Sequence, residues 1–342
     1  MNPLDRLHLI TGKLLDSAPD AYGDLWTLTR QLYDLLFELT ALDPDQDSNR
    51  QSDQFLTTGR AVGLTWAAMC IHDLMRTKKF MDGLYKAVLD KQKAAPGAPV
   101  HVLYAGTGPF ATLILPLLAR FTSQQVQFTF LEVNPESFHC LTELVALLGI
   151  GPYVRHFHLT DATTWQAATD EPVAILVTET MQRALKNEPQ VAICLSLLPQ
   201  LSPETILIPE EISLKLGLVS YQLSDQLTPA VIRPLAEVFS LTKSTVLGNA
   251  AAYRKIGIPY YFPETTFIVP PQLVDDSSQF TLLTDIVIYQ DVVLGYNESG
   301  LTTAHPLKLA TEDVPASLTF RYQVDKTPGL ELMTTLEQRG HN

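Results

Sequence analysis

The chain has 342 residues, of which 46% are hydrophobic and 18% are charged, and its formal net charge is −13. This composition indicates a folded protein with a sizeable core, and the length suits two domains with an extension. The acidic balance argues against a nucleic-acid partner, because phosphate contacts need clustered Lys and Arg. No uninterrupted apolar run is long enough to predict a membrane span. Cys70, Cys140 and Cys194 lack C-x-x-C spacing, which predicts free thiols in the cytoplasm.

The first ninety-odd residues are predicted to be helical. Leucines recur at spacings of three and four over residues 21–42, which predicts an amphipathic helix. Residues 44–58 are polar and predict a linker or mobile loop. Helical patterning resumes near Gly59 and continues to about Gln92. We therefore expect an N-terminal helical extension over residues 1–95.

Strands and helices alternate over residues 96–210, which predicts an α/β, Rossmann-like domain with a parallel sheet. The clearest unit runs from Val100 to Arg120 and consists of an apolar strand, a turn at Gly106 and Gly108, and an apolar helical pattern. A glycine turn at this place lets the backbone approach a ligand closely. The unit predicts a nucleotide-bearing cofactor at the first turn of the sheet.

Beyond residue 210 the apolar residues alternate with polar ones, which is typical of antiparallel strands. The alternation is clearest in Ile212 to Leu218, Phe280 to Val293 and Leu318 to Tyr322. We expect a mostly antiparallel, β-barrel-like domain for substrate binding or dimerisation over residues 211–342. Helical material is expected as an insertion around Pro229 to Ala252.

Acidic residues follow the second and third predicted strands, at the edge where an open α/β sheet binds its ligand. Glu132 ends the second strand, where a carboxylate can accept hydrogen bonds from both ribose hydroxyls. Asp161 and Ala162 follow the third strand, at the height expected for an adenine edge. Together with the glycine turn, these residues predict a cofactor site.

The glycine turn also fits the dinucleotide pattern G-x-G-x-x-G/A through Gly106, Gly108 and Ala111. A nicotinamide-dependent oxidoreductase therefore stays an alternative. Pro109 after the second glycine, and the residues after the fourth strand, disfavour it.

Two glutamates, Glu179 and Glu188, stand nine residues apart in the loop after the fourth predicted strand. Two carboxylates can bracket a planar guanidinium and fix the orientation of the nitrogen that attacks. Arg183, between them, could instead pair with one of the acids and close the site.

Here the sequence resembles a known family. Thr178-Glu179-Thr180-Met181 and Glu188 are similar to the double-glutamate loop of the protein arginine methyltransferases, which belong to the class I S-adenosylmethionine-dependent methyltransferases. Asp73, Arg76 and Thr77 are similar to the family's D-x-x-R-T helix.

The chain also departs from the family's pattern. Tyr104 replaces an acidic residue in the first strand, Phe110 replaces the third glycine, and Thr180 replaces the loop aromatic. The Thr-His-Trp motif is missing. His305 could stand in for its histidine.

The resemblance implies S-adenosyl-L-methionine as the cofactor, with no metal, and a homodimer formed through an arm at residues 225–255. It implies that Arg76 holds the methionine carboxylate, Glu132 the ribose, and Asp161 the surroundings of the adenine. The full set of expected cofactor-binding residues is Arg76, Tyr104, Gly106, Gly108, Glu132, Asp161 and Ala162. Glu179 and Glu188 are the expected catalytic residues.

We expect methyl transfer to a guanidino nitrogen of arginine, in a free amino acid, a peptide or a small metabolite. Glu179 or Glu188 could accept the proton that is lost around the transfer. Three alternatives stay open: a small-molecule O- or N-methyltransferase with a non-guanidino acceptor, the nicotinamide-dependent oxidoreductase, and a non-catalytic relative that binds cofactor. The expected partner is a small molecule or peptide carrying a guanidino or amino group, without nucleic acid or membrane.

Overall fold

The structure is a computed structural model that describes residues 1–42, 52–220, 231–274, 278–309 and 315–336. Within these ranges, none of the helices combines the length and the apolar character that crossing a membrane requires.

The described N-terminal region combines helices with one short hairpin. Its elements are α1 (Pro3–Asp16), α2 (Tyr22–Thr40), β1 (Gln54–Leu56), β2 (Gly59–Ala61), α3 (Leu64–Met69) and α4 (Leu74–Ala94). The amphipathic helix predicted over residues 21–42 is confirmed by α2, whose apolar face is buried at Leu25, Leu32, Leu35 and Leu36.

The linker predicted over residues 44–58 is wrong in part, because β1 and β2 pair as an antiparallel hairpin. Asp53 stabilises the base of this hairpin by binding Arg60 at 2.9 Å and the Gly63 amide at 2.6 Å. Residues 43–51 lie outside the described residues. These contacts join residues on both sides of the turn, so the local polar composition gave no sign of them.

The predicted parallel sheet is confirmed. Its strands are β3 (Val100–Ala105), β4 (Val126–Glu132), β5 (Val154–Leu159), β6 (Ile175–Thr178) and β7 (Ile206–Ile208), in the order β5-β4-β3-β6-β7. The associated helices are α5 (Leu115–Leu118), α6 (Pro135–Leu148) and α7 (Gln190–Leu197). All neighbouring strands are parallel, and β3, at the centre, is buried along its whole length. The carboxyl ends of the strands therefore share one edge.

The glycine turn after β3 does not lead directly into a helix, which corrects the prediction for this segment. Gly106, Gly108 and Ala111 have φ values of 75°, 60° and 45°, so the chain keeps turning. One 3-10 turn at Thr112–Ile114 precedes α5, which has only four residues. The apolar side chains of the segment are nevertheless buried in the hydrophobic core.

The C-terminal region is a pair of antiparallel sheets with one helix. Its elements are β8 (Glu211–Ser220), β9 (Val231–Thr242), α8 (Lys243–Ile256), β10 (Tyr260–Tyr261), β11 (Thr265–Ile268), β12 (Ser278–Tyr289), β13 (Val292–Leu294), β14 (His305–Pro306), β15 (Ser317–Val324) and β16 (Gly329–Thr335). One sheet has the order β13-β12-β8-β9, with β14 beside β12, and the other has the order β10-β15-β11, with β16 beside β15. Among the described residues these sheets do not close into a barrel.

The helical insertion expected around residues 229–252 is wrong over its first half. Residues 231–242 form β9, which pairs along the whole of β8. Only residues 243–256 are helical, and this helix packs against α7 of the same chain. The β8 edge supplies backbone partners that a local helical pattern cannot reveal. Of the expected dimerisation arm, residues 225–230 fall in a range that is not described, and dimerisation stays a prediction.

Helix α4 joins the N-terminal region to the antiparallel sheet through a close contact at Gly83. A Cβ atom on Gly83 would lie 2.5 Å from Cγ2 of Ile288, which is fully buried in β12. A β-branched side chain inside a strand cannot swing away easily. The absence of a side chain at Gly83 therefore sets how closely α4 approaches the sheet.

We predict that Gly83→Ala lowers the free energy of unfolding by about 1 kcal/mol or more, because overpacking costs more than the gain in helix propensity. Gly248→Ala is the matched control, since a Cβ atom on Gly248 in α8 would meet nothing beyond its own helix within 4 Å. The control should raise the same free energy by about 0.5–1 kcal/mol. Urea unfolding of both variants measures this, and stabilisation by Gly83→Ala would contradict the packing account.

Candidate active site

A cavity of about 670 Å³ opens at the carboxyl edge of the parallel sheet. Its volume lies within the range of roughly 300–1,000 Å³ that is typical of small-molecule sites. The structure brings all nine of the predicted site residues to its wall: Arg76, Tyr104, Gly106, Gly108, Glu132, Asp161, Ala162, Glu179 and Glu188. The hairpin of β1 and β2 also contributes to the wall, through Asp53 and Arg60.

The glycine turn packs directly against the loop after β6. A Cβ atom on Gly106 would overlap the methyl group of Thr180, and the positive φ of Gly106 is itself unfavourable for other residues. Gly106 is therefore needed for the contact between two loops of the site. Tyr104, two residues earlier, is buried in the cavity wall, and burial followed by the charge of Glu179 raises the pKa of its phenol.

Glu132 is buried and ties two loops together. Its Oε2 accepts hydrogen bonds from the Gly108 amide at 2.8 Å and the Thr107 hydroxyl at 3.2 Å. Its Oε1 accepts from the Val133 and Asn134 amides, both at 2.9 Å. Burial raises the pKa of Glu132, and these four donors offset part of the shift. The carboxylate is thus held rigidly at the strand end, and ribose binding by it stays a prediction.

Asp161 is arranged differently. Its Oδ1 accepts hydrogen bonds from the amide and hydroxyl of Thr163, at 2.8 Å and 2.7 Å. This local turn fixes the backbone after β5 and places the buried Ala162 in the cavity wall. An adenine-binding role for the two residues stays a prediction.

Arg76 and Glu179 form a buried ion pair inside the cavity. Nη2 of Arg76 donates to Oε2 of Glu179, and their side chains are only 16% and 7% exposed. Burial raises the pKa of Glu179, and Arg76 offsets part of that shift. Burial acts to lower the pKa of Arg76, but neighbouring groups, chiefly the negative charge of Glu179, raise it. The pKa of Arg76 therefore lies above its ordinary value.

The second oxygen of Glu179 has no hydrogen-bond partner in the part of the chain that the structure describes. Oε1 is buried and accepts no hydrogen bond from the residues described. A buried acceptor without a donor is costly in a folded protein. A ligand that brings an N–H or O–H group to this oxygen would remove the cost.

Glu188 is buried beside Glu179, and its pKa is raised to about 7. Burial is the largest cause, and the negative charge of Glu179 is the next; Gln182, Arg76 and Arg60 offset part of the shift. At neutral pH the carboxyl group is therefore divided between its protonated and ionised forms. A bound cation would favour the ionised form.

The loop between the two glutamates has a strained backbone, and hydrogen bonds from the C-terminal region hold it in place. Ala184, Leu185 and Asn187 have φ values of 57°, 52° and 65°, in the region that side chains disfavour. Three hydrogen bonds from the C-terminal region hold this backbone: Ala184 N to Thr284 Oγ1 at 3.2 Å, Tyr322 Oη to Leu185 O at 2.7 Å, and Asn187 N to Pro328 O at 2.8 Å. The antiparallel sheets thus shape the loop that carries Glu188.

Gln190 is a positioning residue that the sequence did not predict. Its Oε1 accepts hydrogen bonds from the amide and hydroxyl of Thr180, at 2.9 Å and 3.0 Å, and its Nε2 donates to Thr178 O at 3.2 Å. The side chain therefore fastens both ends of the loop together. Its position two residues after Glu188 was the available signal.

Asp73 is another residue with a positioning role that the sequence did not predict. It accepts hydrogen bonds from the Ser299 hydroxyl at 2.6 Å and the Gly300 amide at 2.9 Å. Gly300 and Leu301 line the cavity, so Asp73 fixes a C-terminal segment against it.

The sequence left open that Arg183 pairs with one of the two glutamates and closes the site. The structure does not show this pairing. Arg183 lines the cavity, but its Nη1 donates to Thr303 Oγ1 at 3.2 Å, and it forms no ion pair within the described ranges. Arg76 is the arginine that pairs with an acid of the loop. His305 contacts Lys186 and is not part of the cavity wall, so the geometry gives it no place in the site.

No family model matches this chain, and no curated protein is similar enough in sequence to count as a match. Solved structures do resemble it. One is a chain of the Trypanosoma brucei PRMT1 enzyme–prozyme heterotetrameric complex with AdoHcy, at 14% identity and a TM-score of 0.51, covering 79% of this chain and 92% of that one.

Another similar structure is Arabidopsis thaliana protein arginine methyltransferase 10 in a uniquely open conformation. It is 12% identical, with a TM-score of 0.50, and covers 74% of this chain and 86% of that one. At these identities the likeness concerns the fold. The chain has a class I methyltransferase fold of the kind found in protein arginine methyltransferases.

Proposed function

We propose that this protein is an S-adenosylmethionine-dependent N-methyltransferase that acts on a guanidino nitrogen. The observation that carries the proposal is the pair of buried acids, Glu179 and Glu188, in the wall of the cavity, where Oε1 of Glu179 has no hydrogen-bond partner among the described residues. Two buried carboxylates side by side repel each other, and after burial the negative charge of Glu179 is the next largest cause of the raised pKa of Glu188. A guanidinium between them would relieve that repulsion and supply the missing hydrogen-bond donors.

The residues at the sheet edge fit S-adenosylmethionine. Arg76 is a buried guanidinium that would bind the methionine carboxylate, and Glu132 and Asp161, which line the same cavity, would bind the ribose and the adenine. The bound cofactor would supply a methyl group on a positively charged sulfur. The fold and the AdoHcy in the trypanosome complex support this cofactor.

Arg76 couples binding of the proposed cofactor to binding of the proposed acceptor. A ligand carboxylate would compete with Glu179 for the Arg76 guanidinium and so leave Glu179 freer to bind the acceptor. Cofactor and acceptor should therefore strengthen each other's binding.

In this proposal Glu179 and Glu188 orient the acceptor nitrogen and accept the proton that it releases. Holding the nitrogen in line with the methyl group lowers the barrier chiefly by positioning. Transfer to a guanidinium would form an N–C bond while the S–C bond to the positively charged sulfur breaks, and the methylated nitrogen would release one proton. Glu188, with a pKa of about 7, is suited to accept that proton at neutral pH.

The ion pair also favours a second candidate, a small-molecule amine N-methyltransferase. If Arg76 stays bound to Glu179, Glu188 is the acid that faces the acceptor, and one carboxylate suits a simple amine. Radiolabelled methyl transfer to arginine, an arginine peptide and mixed amines separates the two. Calorimetry with S-adenosylhomocysteine and NAD would eliminate both if NAD alone bound.

We predict that Glu188→Gln lowers methyl transfer to a guanidino acceptor by about 100-fold or more, because the variant can neither accept the proton nor carry charge. Its affinity for S-adenosylhomocysteine should stay within about threefold, since the proposed cofactor contacts remain. Initial rates and calorimetry measure the two effects.

Glu143→Gln is the matched control, because Glu143 is an exposed glutamate of α6 outside the cavity. Arg76→Ala should weaken cofactor affinity by about 2 kcal/mol, because it removes the guanidinium proposed to bind the methionine carboxylate. Unchanged turnover in Glu188→Gln would eliminate the proposed role of the pair.

The raised pKa of Glu188 also predicts how stability depends on pH. Between pH 4.5 and about 7 the carboxyl is ionised in the unfolded chain but protonated in the folded one, so stability falls as pH rises through this window. Glu188→Gln removes the effect. At pH 8 it should raise the free energy of unfolding by up to about 3 kcal/mol, and at pH 4 by nearly nothing. Urea unfolding at both pH values tests this; an equal effect at both would contradict the raised pKa.

A further inference from the structure

Three basic side chains gather in and beside the loop that carries the two glutamates. They are Arg183 and Lys186 in the loop and His305 in β14. Lys186 Nζ donates to Nε2 of His305 at 2.6 Å, and Arg183 donates to the Thr303 hydroxyl at 3.2 Å. Across the described residues, none of the three has a carboxylate within 4 Å. The cluster therefore carries positive charge without a local counter-charge, on a chain whose net charge is −13.

The electrostatics of the cluster agree with this geometry. Burial, and then the charge of Arg183, lowers the pKa of Lys186. Burial, then Lys186 and Arg183, lowers the pKa of His305. Because Lys186 donates to Nε2, the proton of the neutral ring lies on Nδ1, which is buried and has no partner within the described ranges. An anion near the cluster would reduce its mutual repulsion.

Arg183 connects the cluster to the cavity. It lines the same cavity as Glu179 and Glu188, and unlike those buried acids it is exposed. The acceptor side of the cavity thus has buried negative groups and an exposed positive one within a single loop. A molecule that complements it carries a cation at one end and an anion at the other.

We propose that the methyl acceptor is a small guanidino acid whose carboxylate binds Arg183 while its guanidino group lies between Glu179 and Glu188. The inference rests on the proposed function. The planar fork of Arg183 can bind a carboxylate through two parallel hydrogen bonds. Lys186, which donates to His305, adds to the attraction through its positive charge without touching the reacting atoms. An arginine inside a protein chain has no free carboxylate next to its side chain, so the geometry favours a free amino acid over a protein substrate.

The test compares L-arginine with L-argininamide, which has the same guanidino end but an amide in place of the carboxylate. Initial rates of methyl transfer are measured for the unchanged protein, Arg183→Gln, and the control Arg254→Gln, whose arginine is exposed on α8 and away from the cavity. We expect the unchanged protein and the control to prefer L-arginine in kcat/KM by about tenfold or more. Arg183→Gln should lose that preference through L-arginine alone, with argininamide turnover within about threefold of the unchanged value.

Retained turnover of argininamide would show that the Arg183→Gln variant is folded and competent. Equal kcat/KM for the two compounds in the unchanged protein would overturn this inference and leave the proposed function standing. So would an equal loss for both compounds in Arg183→Gln, because Arg183 would then support the loop. Transfer to no guanidino compound by a protein that binds S-adenosylhomocysteine would overturn both proposals.

Discussion

The buried ion pair between Arg76 and Glu179 is the interaction on which the site depends. A buried arginine or glutamate alone would be strongly destabilising, so each residue requires the other in the absence of a ligand. The pair joins the start of α4 to the end of β6, and it leaves one oxygen of Glu179 without a donor among the described residues. It also brings together the residue expected to hold the cofactor and a residue expected to hold the acceptor. Ligand binding at one end should therefore change the charge available at the other.

The C-terminal sheets contribute to the site mainly by holding backbone. Ala184, Leu185 and Asn187 adopt a conformation that costs energy, and contacts from β12, β15 and Pro328 stabilise it. The result of this strain is the placement of Glu188 beside Glu179. A Rossmann-like sheet alone would position Glu179 at a strand end, but it would not fix the second glutamate. This division explains why the two regions form one site although their strands belong to separate sheets.

Features that follow from the alternation of strands and helices could be predicted from the sequence, and features that depend on particular pairings of strands or side chains could not. Glu132, Asp161 and Glu179 reach one cavity because parallel strands end at the same edge, which the alternation of strands and helices implies. The hairpin at residues 54–61 and the strand β9 were not predicted, because local composition does not show which backbone segments pair with each other. The pairing of Arg76 with Glu179 spans 103 residues and likewise had no local signal.

A co-crystal structure with S-adenosylhomocysteine and L-arginine would test the central claim most directly. We predict that the cofactor carboxylate contacts Arg76 and that the sulfur faces the space between Glu179 and Glu188, with the guanidino group bound there. A sulfur that faces away from these two acids, or an arginine bound elsewhere in the presence of the cofactor product, would contradict the account.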